Sequence, residues 1–255
     1  MTGTTRGHVG CVIALAMSLG VMAGGRAEAS LARNAAVVKS TGDVGALTMD
    51  TAGALESDPD GKVWSFEAAF QYQLSRRLQL LAEAVPVTIH EPDGGERTSG
   101  FGDTDVTMSW LVSGGNARIP DIVLGAKVKI PTARAGELGT GRPDVSALVI
   151  ASREYGELEL NLETEFAKFG QAGDERLKDQ VIYAFSAEYS LNDFMAVYGE
   201  VSGNSRPTAS ESRTDAARLG AELDFRIGRL VAPYVTFEAS TENDVAIRSG
   251  IEWTW

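Results

Sequence analysis

The sequence predicts an all-β protein, a single antiparallel transmembrane β-barrel. Three observations predict this fold class. Successive segments alternate polar and apolar side chains, no helical segment lies between them, and the connections alternate between tight turns and long loops. A period of two is typical of strands with one polar and one apolar face. Many such strands separated by turn residues indicate a barrel or a sandwich.

Residues 1–29 have the features of a secretory signal peptide. Arg6 gives a positive start, Val12–Ala23 is an apolar run, and residues 27–29 form an A-x-A cleavage pattern. The alternative, an N-terminal membrane anchor, needs a longer apolar run. Cys11 is the only cysteine and lies within the predicted signal. The exported chain must therefore be held by its own packing or by a closed sheet.

The clearest strand is Glu157–Phe169, in which four glutamates share one face and three leucines share the other. It is longer than the roughly 9–11 residues that a tilted strand needs to cross a bilayer. Ten further segments show the alternation, some more weakly. In chain order all eleven are Val63–Leu74, Leu78–His90, Phe101–Val112, Asp121–Pro131, Asp144–Arg153, Glu157–Phe169, Gln180–Tyr189, Phe194–Ser202, Ala217–Arg226, Val231–Ser240 and Val245–Trp255.

The connections predict the strand count. Ser75–Arg77, Glu154–Gly156, Asn192–Asp193 and Gly228–Arg229 are tight, whereas Glu91–Ser99, Thr132–Arg142, Gly170–Lys178 and Gly203–Arg213 are long. Outer-membrane barrels have short periplasmic turns, longer extracellular loops and an even number of strands. This parity predicts one more strand within Ala36–Thr51, which makes twelve. We therefore divide the chain into an N-terminal segment, residues 30–61, and a barrel, residues 62–255; ten strands with residues 31–61 as an insertion is the alternative count.

In lipid the apolar face must point outward, so the polar face is predicted to line the lumen. The predicted lumen-lining residues are Glu67, Glu83, Asp103, Asp105, Lys127, Lys129, Asp144, Glu157, Glu159, Glu163, Glu165, Glu188, Glu200, Arg218, Glu222, Asp224, Arg226, Glu238, Arg248 and Glu252. Acids outnumber bases in this set, which indicates a hydrated, cation-favouring interior. The alternative is that these residues are only the polar filling of a small barrel. Trp64, Trp110, Trp253 and Trp255, with Tyr72, Tyr183 and Tyr189, are predicted to face lipid, and the tryptophans lie near strand ends as an aromatic girdle requires.

Charge and composition exclude several functions. The chain has 23 Lys+Arg against 35 Asp+Glu, a net charge of −12, which argues against nucleic acid as a partner. Outside the signal, His90 is the one histidine and there is no cysteine, so Cys/His catalysis and a clustered histidine metal site are excluded. We predict no cofactor, no metal and no enzymatic activity. A barrel hydrolase that uses His90 remains a remote alternative.

Two motifs resemble a known family. Gly100-Phe101-Gly102-Asp103 and Lys129-Ile130-Pro131-Thr132, followed by Leu138-Gly139-Thr140-Gly141 and Asp144, are similar to motifs of the "MetA-pathway of phenol degradation" family of outer-membrane transporters. The resemblance covers roughly residues 45–170, and Ala133 stands where the family often has glycine. Trp255, with Trp253 two residues before it, resembles the signal that the barrel-assembly machinery recognises, although Phe is the more usual last residue there.

The resemblance implies an outer-membrane channel for small molecules, aromatic or hydrophobic ones among them. We therefore expect a monomeric barrel in the outer membrane of a Gram-negative bacterium, with membrane lipid and the assembly machinery as partners. Its expected function is passive or facilitated uptake of small solutes through an acidic lumen. A non-conducting structural barrel, or a scaffold around a partner, is the alternative.

Overall fold

The computed structural model describes residues 44–58, 61–114, 119–133, 138, 141–168, 179–192, 195–205, 214–225, 231–241 and 245–255. The predicted signal peptide and Arg226 lie outside these residues. The strands are β1 Leu47–Asp58, β2 Gly61–Ser75, β3 Leu78–Pro92, β4 Thr98–Gly100, β5 Thr104–Ser113, β6 Asp121–Ile130, β7 Asp144–Tyr155, β8 Leu158–Lys168, β9 Gln180–Asn192, β10 Met195–Asn204, β11 Thr214–Asp224, β12 Val231–Ser240 and β13 Val245–Thr254. In the described part of the chain no helix is long and apolar enough to cross a membrane.

Twelve of these strands form a closed antiparallel ring. Each pairs with its neighbour in sequence, and β1 pairs with β13 from Thr48↔Thr254 to Ser57↔Val245. The backbone of Leu47 exchanges two hydrogen bonds with that of Trp255, so the two ends of the barrel chain meet beside the tight turns. The prediction of a twelve-stranded barrel is confirmed. The first strand, however, lies further along the chain than the predicted Ala36–Thr51.

The short strand β4 is the one departure from a simple ring. It pairs with residues 88–90 of β3, whereas β5 pairs with residues 78–84 of the same strand. The two therefore lie end to end along β3, separated by residues 101–103. The predicted strand Phe101–Val112 was wrong at its start for this reason. At the break, the Gly102 N–H donates to the Val85 carbonyl at 2.9 Å, which keeps the two segments against β3.

A bulge in β3 explains why its alternation is weak in the sequence. Phe66 pairs with Val87 and Ala68 pairs with Ala84, so Val85 and Pro86 together lie opposite Glu67. An extra residue of this kind shifts the side-chain phase of one strand relative to its neighbour. Proline, which has no N–H to donate to the ladder, is tolerated at such a position.

The barrel wall has an apolar outside and a polar inside. Large exposed side chains on alternate positions include Trp64, Phe66 and Phe70 on β2, Leu162 and Phe166 on β8, and Val245 and Ile247 on β13. On β2 the residues between them, Ser65, Glu67 and Gln71, are buried. This is the reverse of a protein folded in water, in which apolar residues are mostly inside. The reversal is the arrangement that a strand wall needs in lipid.

Two tyrosines cross the inner wall above glycines. Tyr198 on β10 lies over Gly220 of β11, and its hydroxyl donates a hydrogen bond to Glu238 of β12. A Cβ added at Gly220 would lie 2.2 Å from the Tyr198 ring. Tyr234 on β12 crosses Gly250 of β13 in the same way, with its ring 2.7 Å from an added Cβ. These glycines are required for close approach.

We expect Gly220→Ala to destabilise the barrel by about 1–3 kcal/mol, because the Tyr198 ring must leave its position. Gly53→Ala is the matched control, since a Cβ added at Gly53 meets nothing within 4 Å. Denaturant unfolding in detergent micelles measures both variants. Equal stability of the two would contradict the role assigned to Gly220.

Candidate functional site: the barrel interior

The interior carries a large excess of acidic side chains. Among the described residues the buried carboxylates are Asp50, Glu67, Glu83, Asp144, Glu163, Glu165, Glu200, Glu222, Asp224 and Glu252, whereas Arg248 is the buried cation. Lys127, Lys129 and Arg218 are half-buried, as are Asp103 and Asp105. A buried charge is costly unless a charge of opposite sign or hydrogen bonds compensate it. The bases therefore determine how the acids are arranged.

Arg248 organises the first group of interior charges, which lies where β13 meets β1. Its Nη2 is 3.1 Å from Glu67 Oε2 and 4.0 Å from Asp50 Oδ1. Asp50 also accepts a hydrogen bond from the Tyr234 hydroxyl at 3.1 Å, and Glu67 accepts one from Ser65 at 3.0 Å. The guanidinium lies 5.7 Å from the centre of the Tyr234 ring. This group joins four strands, β1, β2, β12 and β13, across the closing seam.

Lys127 on β6 organises the second group. Its ammonium donates to Glu165 Oε2 on β8 at 2.8 Å. Its charge also interacts with the carboxylates of Glu83, Asp105 and Glu163. Glu83 and Asp105 are directly opposite each other on β3 and β5. One ammonium therefore interacts with carboxylates on three strands, β3, β5 and β8.

Lys129 organises a third group, nearer the long loops. Its ammonium is 3.5 Å from Asp103 Oδ2 and forms a shorter ion pair with Asp144. The Ala133 N–H donates to Asp103 Oδ1 at 3.0 Å, and the Thr132 hydroxyl donates to the Gly102 carbonyl at 2.8 Å. The structure thus brings together the two sequence motifs, residues 100–103 and residues 129–132. They hold the start of the 131–143 connection against the start of β5.

An apolar patch interrupts this polar lining. Val123, Leu148 and Ile150 pack together on the inside of β6 and β7, with Leu111 of β5 against them. In the ladder between β7 and β8, Leu148 is opposite Glu165 and Ile150 is opposite Glu163. This patch could be predicted only weakly, because the segment that forms β7 is apolar on both faces at its middle.

The other predicted lining residues fall into different settings. Glu159, which accepts a hydrogen bond from Ser152 at 3.3 Å, is half-buried, as are Glu188 and Glu238. Glu157 is exposed and lies in the tight turn before β8, not within a strand. Of the predicted assembly signal, Trp253 is half-buried and Trp255 is exposed at the end of β13. Recognition by the assembly machinery stays a prediction.

Sequence reasoning missed Asp50 and did not single out the two tyrosines. Asp50 lies on β1, where Gly53, Ala52 and Ala54 blur the contrast between the faces. Tyr234 shares the polar face of the predicted strand Val231–Ser240 with Thr236 and Glu238, but alternation alone does not show that an aromatic side chain reaches a carboxylate two strands away. A glycine lies directly opposite each tyrosine, at Gly220 and Gly250, but this pairing depends on strand register and becomes visible only in the structure.

His90 and the carboxylates give no sign of a catalytic or metal centre in the described residues. His90 lies in β3, where its backbone pairs with Val63 and Thr98 beside the 93–97 loop. Within the described ranges no group of three His, Cys, Asp or Glu side chains is placed to hold a metal ion. The absence of enzymatic activity stays a prediction.

The closed ring, the apolar outside and the charged inside together define an outer-membrane β-barrel. The chain belongs to the family described as "Putative MetA-pathway of phenol degradation", which matches residues 85–249. The resemblance drawn from the two motifs is therefore confirmed. No curated protein matches the chain.

Solved structures share the fold at low sequence identity. An outer membrane channel from Pseudomonas putida F1 is 14% identical with a TM-score of 0.64, over 83% of this chain and 96% of that one. The KdgM porin is 11% identical with a TM-score of 0.55, over 81% and 98%. The NanC porin is 9% identical with a TM-score of 0.57, over 80% and 98%. At these identities the likeness establishes the barrel architecture.

We expect Arg248→Met to destabilise the barrel by about 3–5 kcal/mol, because Asp50 and Glu67 would stay buried without their cation. Arg97→Met is the control: Arg97 pairs with Glu91 at 3.3 Å, but the two side chains are 61% and 39% exposed. An exposed pair of this kind contributes only about 0–1 kcal/mol. Denaturant unfolding in micelles compares the stability of the two variants. A loss of stability as small as that of Arg97→Met would show that Arg248 does not stabilise the seam between β1 and β13.

Proposed function

We propose that the protein is an outer-membrane channel that lets small solutes diffuse through an acidic, cation-favouring lumen. The observation that carries the proposal is the interior charge: ten buried carboxylates and one buried cation, Arg248, among the described residues. A soluble core of this composition would be prohibitively costly. Inside a barrel, water can hydrate the same carboxylates and mobile cations can neutralise them. A row of such carboxylates along the lumen then forms a pathway for cations.

The solute that fits is small. Wide aqueous pores belong to barrels of about 16–18 strands, and twelve strands enclose much less space. Glu163, Gln79, Asn204 and Thr236 have 2% or less of their surface exposed, so interior side chains already occupy the middle of this barrel. Passage therefore requires long polar side chains to move aside. The family's reference to phenol degradation makes small aromatic molecules natural test solutes.

The sign of the interior charge predicts which kinds of ligand this barrel rejects. The KdgM porin has been solved in complex with oligogalacturonate, a chain of carboxylate-bearing sugars. An interior dominated by carboxylates repels a polyanion by the same electrostatics that attract a cation. We therefore propose that this barrel excludes such acidic oligomers and admits cations and small neutral molecules.

A second candidate is a structural barrel that conducts nothing. The observation in its favour is the complete burial of Glu163, together with Ile150, which is 1% exposed. Side chains packed this closely are typical of small barrels whose interior is filled. Conductance decides between the two functions.

In a planar bilayer we expect discrete conductance steps with a preference for cations over anions. Glu159→Gln combined with Glu163→Gln should reduce that preference, because two interior charges are lost without a change in side-chain size. Glu96→Gln, in the exposed 93–97 loop, is the matched control. The fold of the protein is first verified by the shift in its gel mobility between unheated and boiled samples. If this folded protein then passes no current at any voltage, the result favours the structural barrel.

The outer-membrane location makes a separate prediction. Leu162 is 50% exposed on the outer face of β8. Leu162→Arg should cost about 2–4 kcal/mol near the bilayer midplane. In water the same change at an exposed site is close to neutral, within about 0.5 kcal/mol. Unfolding from lipid vesicles measures the difference, and a neutral result would argue against a lipid-facing β8.

A further inference from the structure

The interior group around Lys127 contains more negative charge than its cation can offset. Lys127 gives its short contact, 2.8 Å, to Glu165. Glu163 is fully buried, and neither of its carboxylate oxygens has a hydrogen-bond partner among the described residues. One carboxylate oxygen of Glu83 and one of Asp105 likewise have no hydrogen-bond partner among the described residues. Lys127 and the carboxylates of Glu165, Glu200 and Glu83 are among the charges that act on Glu163.

A buried carboxylate with no donor is expensive, so Glu163 is a site for a positively charged donor. The described carboxylates do not converge in a group that could ligate a metal ion. Because these carboxylates are spread apart, the donor that suits them has N–H groups that point in several directions. An organic ammonium ion, with three N–H donors, has this property.

The surroundings of Glu163 indicate what the ammonium is attached to. Ile150 lies opposite Glu163 in the ladder and Leu148 lies opposite Glu165, and both belong to the buried apolar patch. A ligand here would place its charge on the glutamates of β8 and its carbon chain against β7. Lys127 is itself such a group, an ammonium on an apolar stem, already bound to Glu165 within this cluster.

We propose that Glu163, with Glu165 and the Leu148–Ile150 surface, binds the ammonium group of small primary alkylammonium ions inside the barrel. The ligand's N–H groups donate to Glu163, its alkyl chain lies on Leu148 and Ile150, and the flexible Lys127 side chain shifts to admit it. That the ligand reaches the site along the lumen rests on the proposed channel function. Binding of the ammonium ion to Glu163 can be measured even in a barrel that does not conduct.

The first experiment uses n-propylammonium as a blocker of the sodium current. Half-block of the wild-type channel should require about tenfold less n-propylammonium than half-block of Glu163→Gln, because one charge-assisted contact is lost. Glu96→Gln should behave as wild type. The uncharged 1-propanol and the anion propionate should not block at the same concentrations. Equal block of wild type and Glu163→Gln would overturn the proposal.

The second experiment does not depend on conductance. Lys127→Ala removes from the interior a group of the size and charge of n-propylammonium. We expect the variant to unfold at lower denaturant in micelles, and n-propylammonium to restore its stability where 1-propanol does not. The rescue should be lost when Glu163→Gln is added. Absence of rescue in folded Lys127→Ala protein would overturn the proposal.

The two experiments separate this inference from the channel proposal. Rescue of Lys127→Ala in a barrel that carries no current would keep the ammonium site and reject the channel. A cation-selective current that n-propylammonium does not block, with no rescue, would keep the channel and reject the site.

Discussion

The structure depends on the requirement that every backbone N–H and C=O facing hydrocarbon be paired within the protein. A sheet can meet this requirement only by closing on itself, which β1 and β13 achieve. Closure leaves each strand with one face in lipid and one inside. The side chains must then alternate, and the buried carboxylates of the wall lie together in a single enclosed volume. The acidic interior is therefore a consequence of the wall combined with this chain's excess of Asp and Glu.

Few cations lie among those acids in the described part of the chain, and Arg248, Lys127 and Lys129 each pair with carboxylates from other strands or their connections. Arg248 connects Asp50 and Glu67 across the seam, and Lys127 on β6 reaches Glu165 on β8, two strands away. Lys129 connects the two family motifs at the loop end. The same cations thus stabilise the wall and leave specific carboxylates, Glu163 above all, without a donor. The ion pairs that stabilise the wall and the carboxylates that we propose as functional are therefore parts of one interior charge network.

Alternation in the sequence predicted the barrel and the polar or apolar character of most faces, and the alternation of tight and long connections supplied the count of twelve strands. Glu157–Phe169 was predicted within a residue or two of β8, since its faces contrast strongly. The start of β5 and the position of β1 were wrong because a break and small residues such as Gly53 remove the period-two signal. Partners of interior charges could not be predicted, because they depend on strand stagger, which alternation does not encode.

The seam between β1 and β13 affects the order in which the barrel can fold. Thr48 pairs with Thr254, at almost the full length of the described chain, so this ladder has the largest loop-closure cost of any in the molecule. No part of the ring can close until the last strand is available. Until then two strands carry unpaired edges that would pair with any other extended chain. The Tyr234–Asp50 hydrogen bond crosses this seam, so it can form only after β13 has paired with β1 and closed the ring.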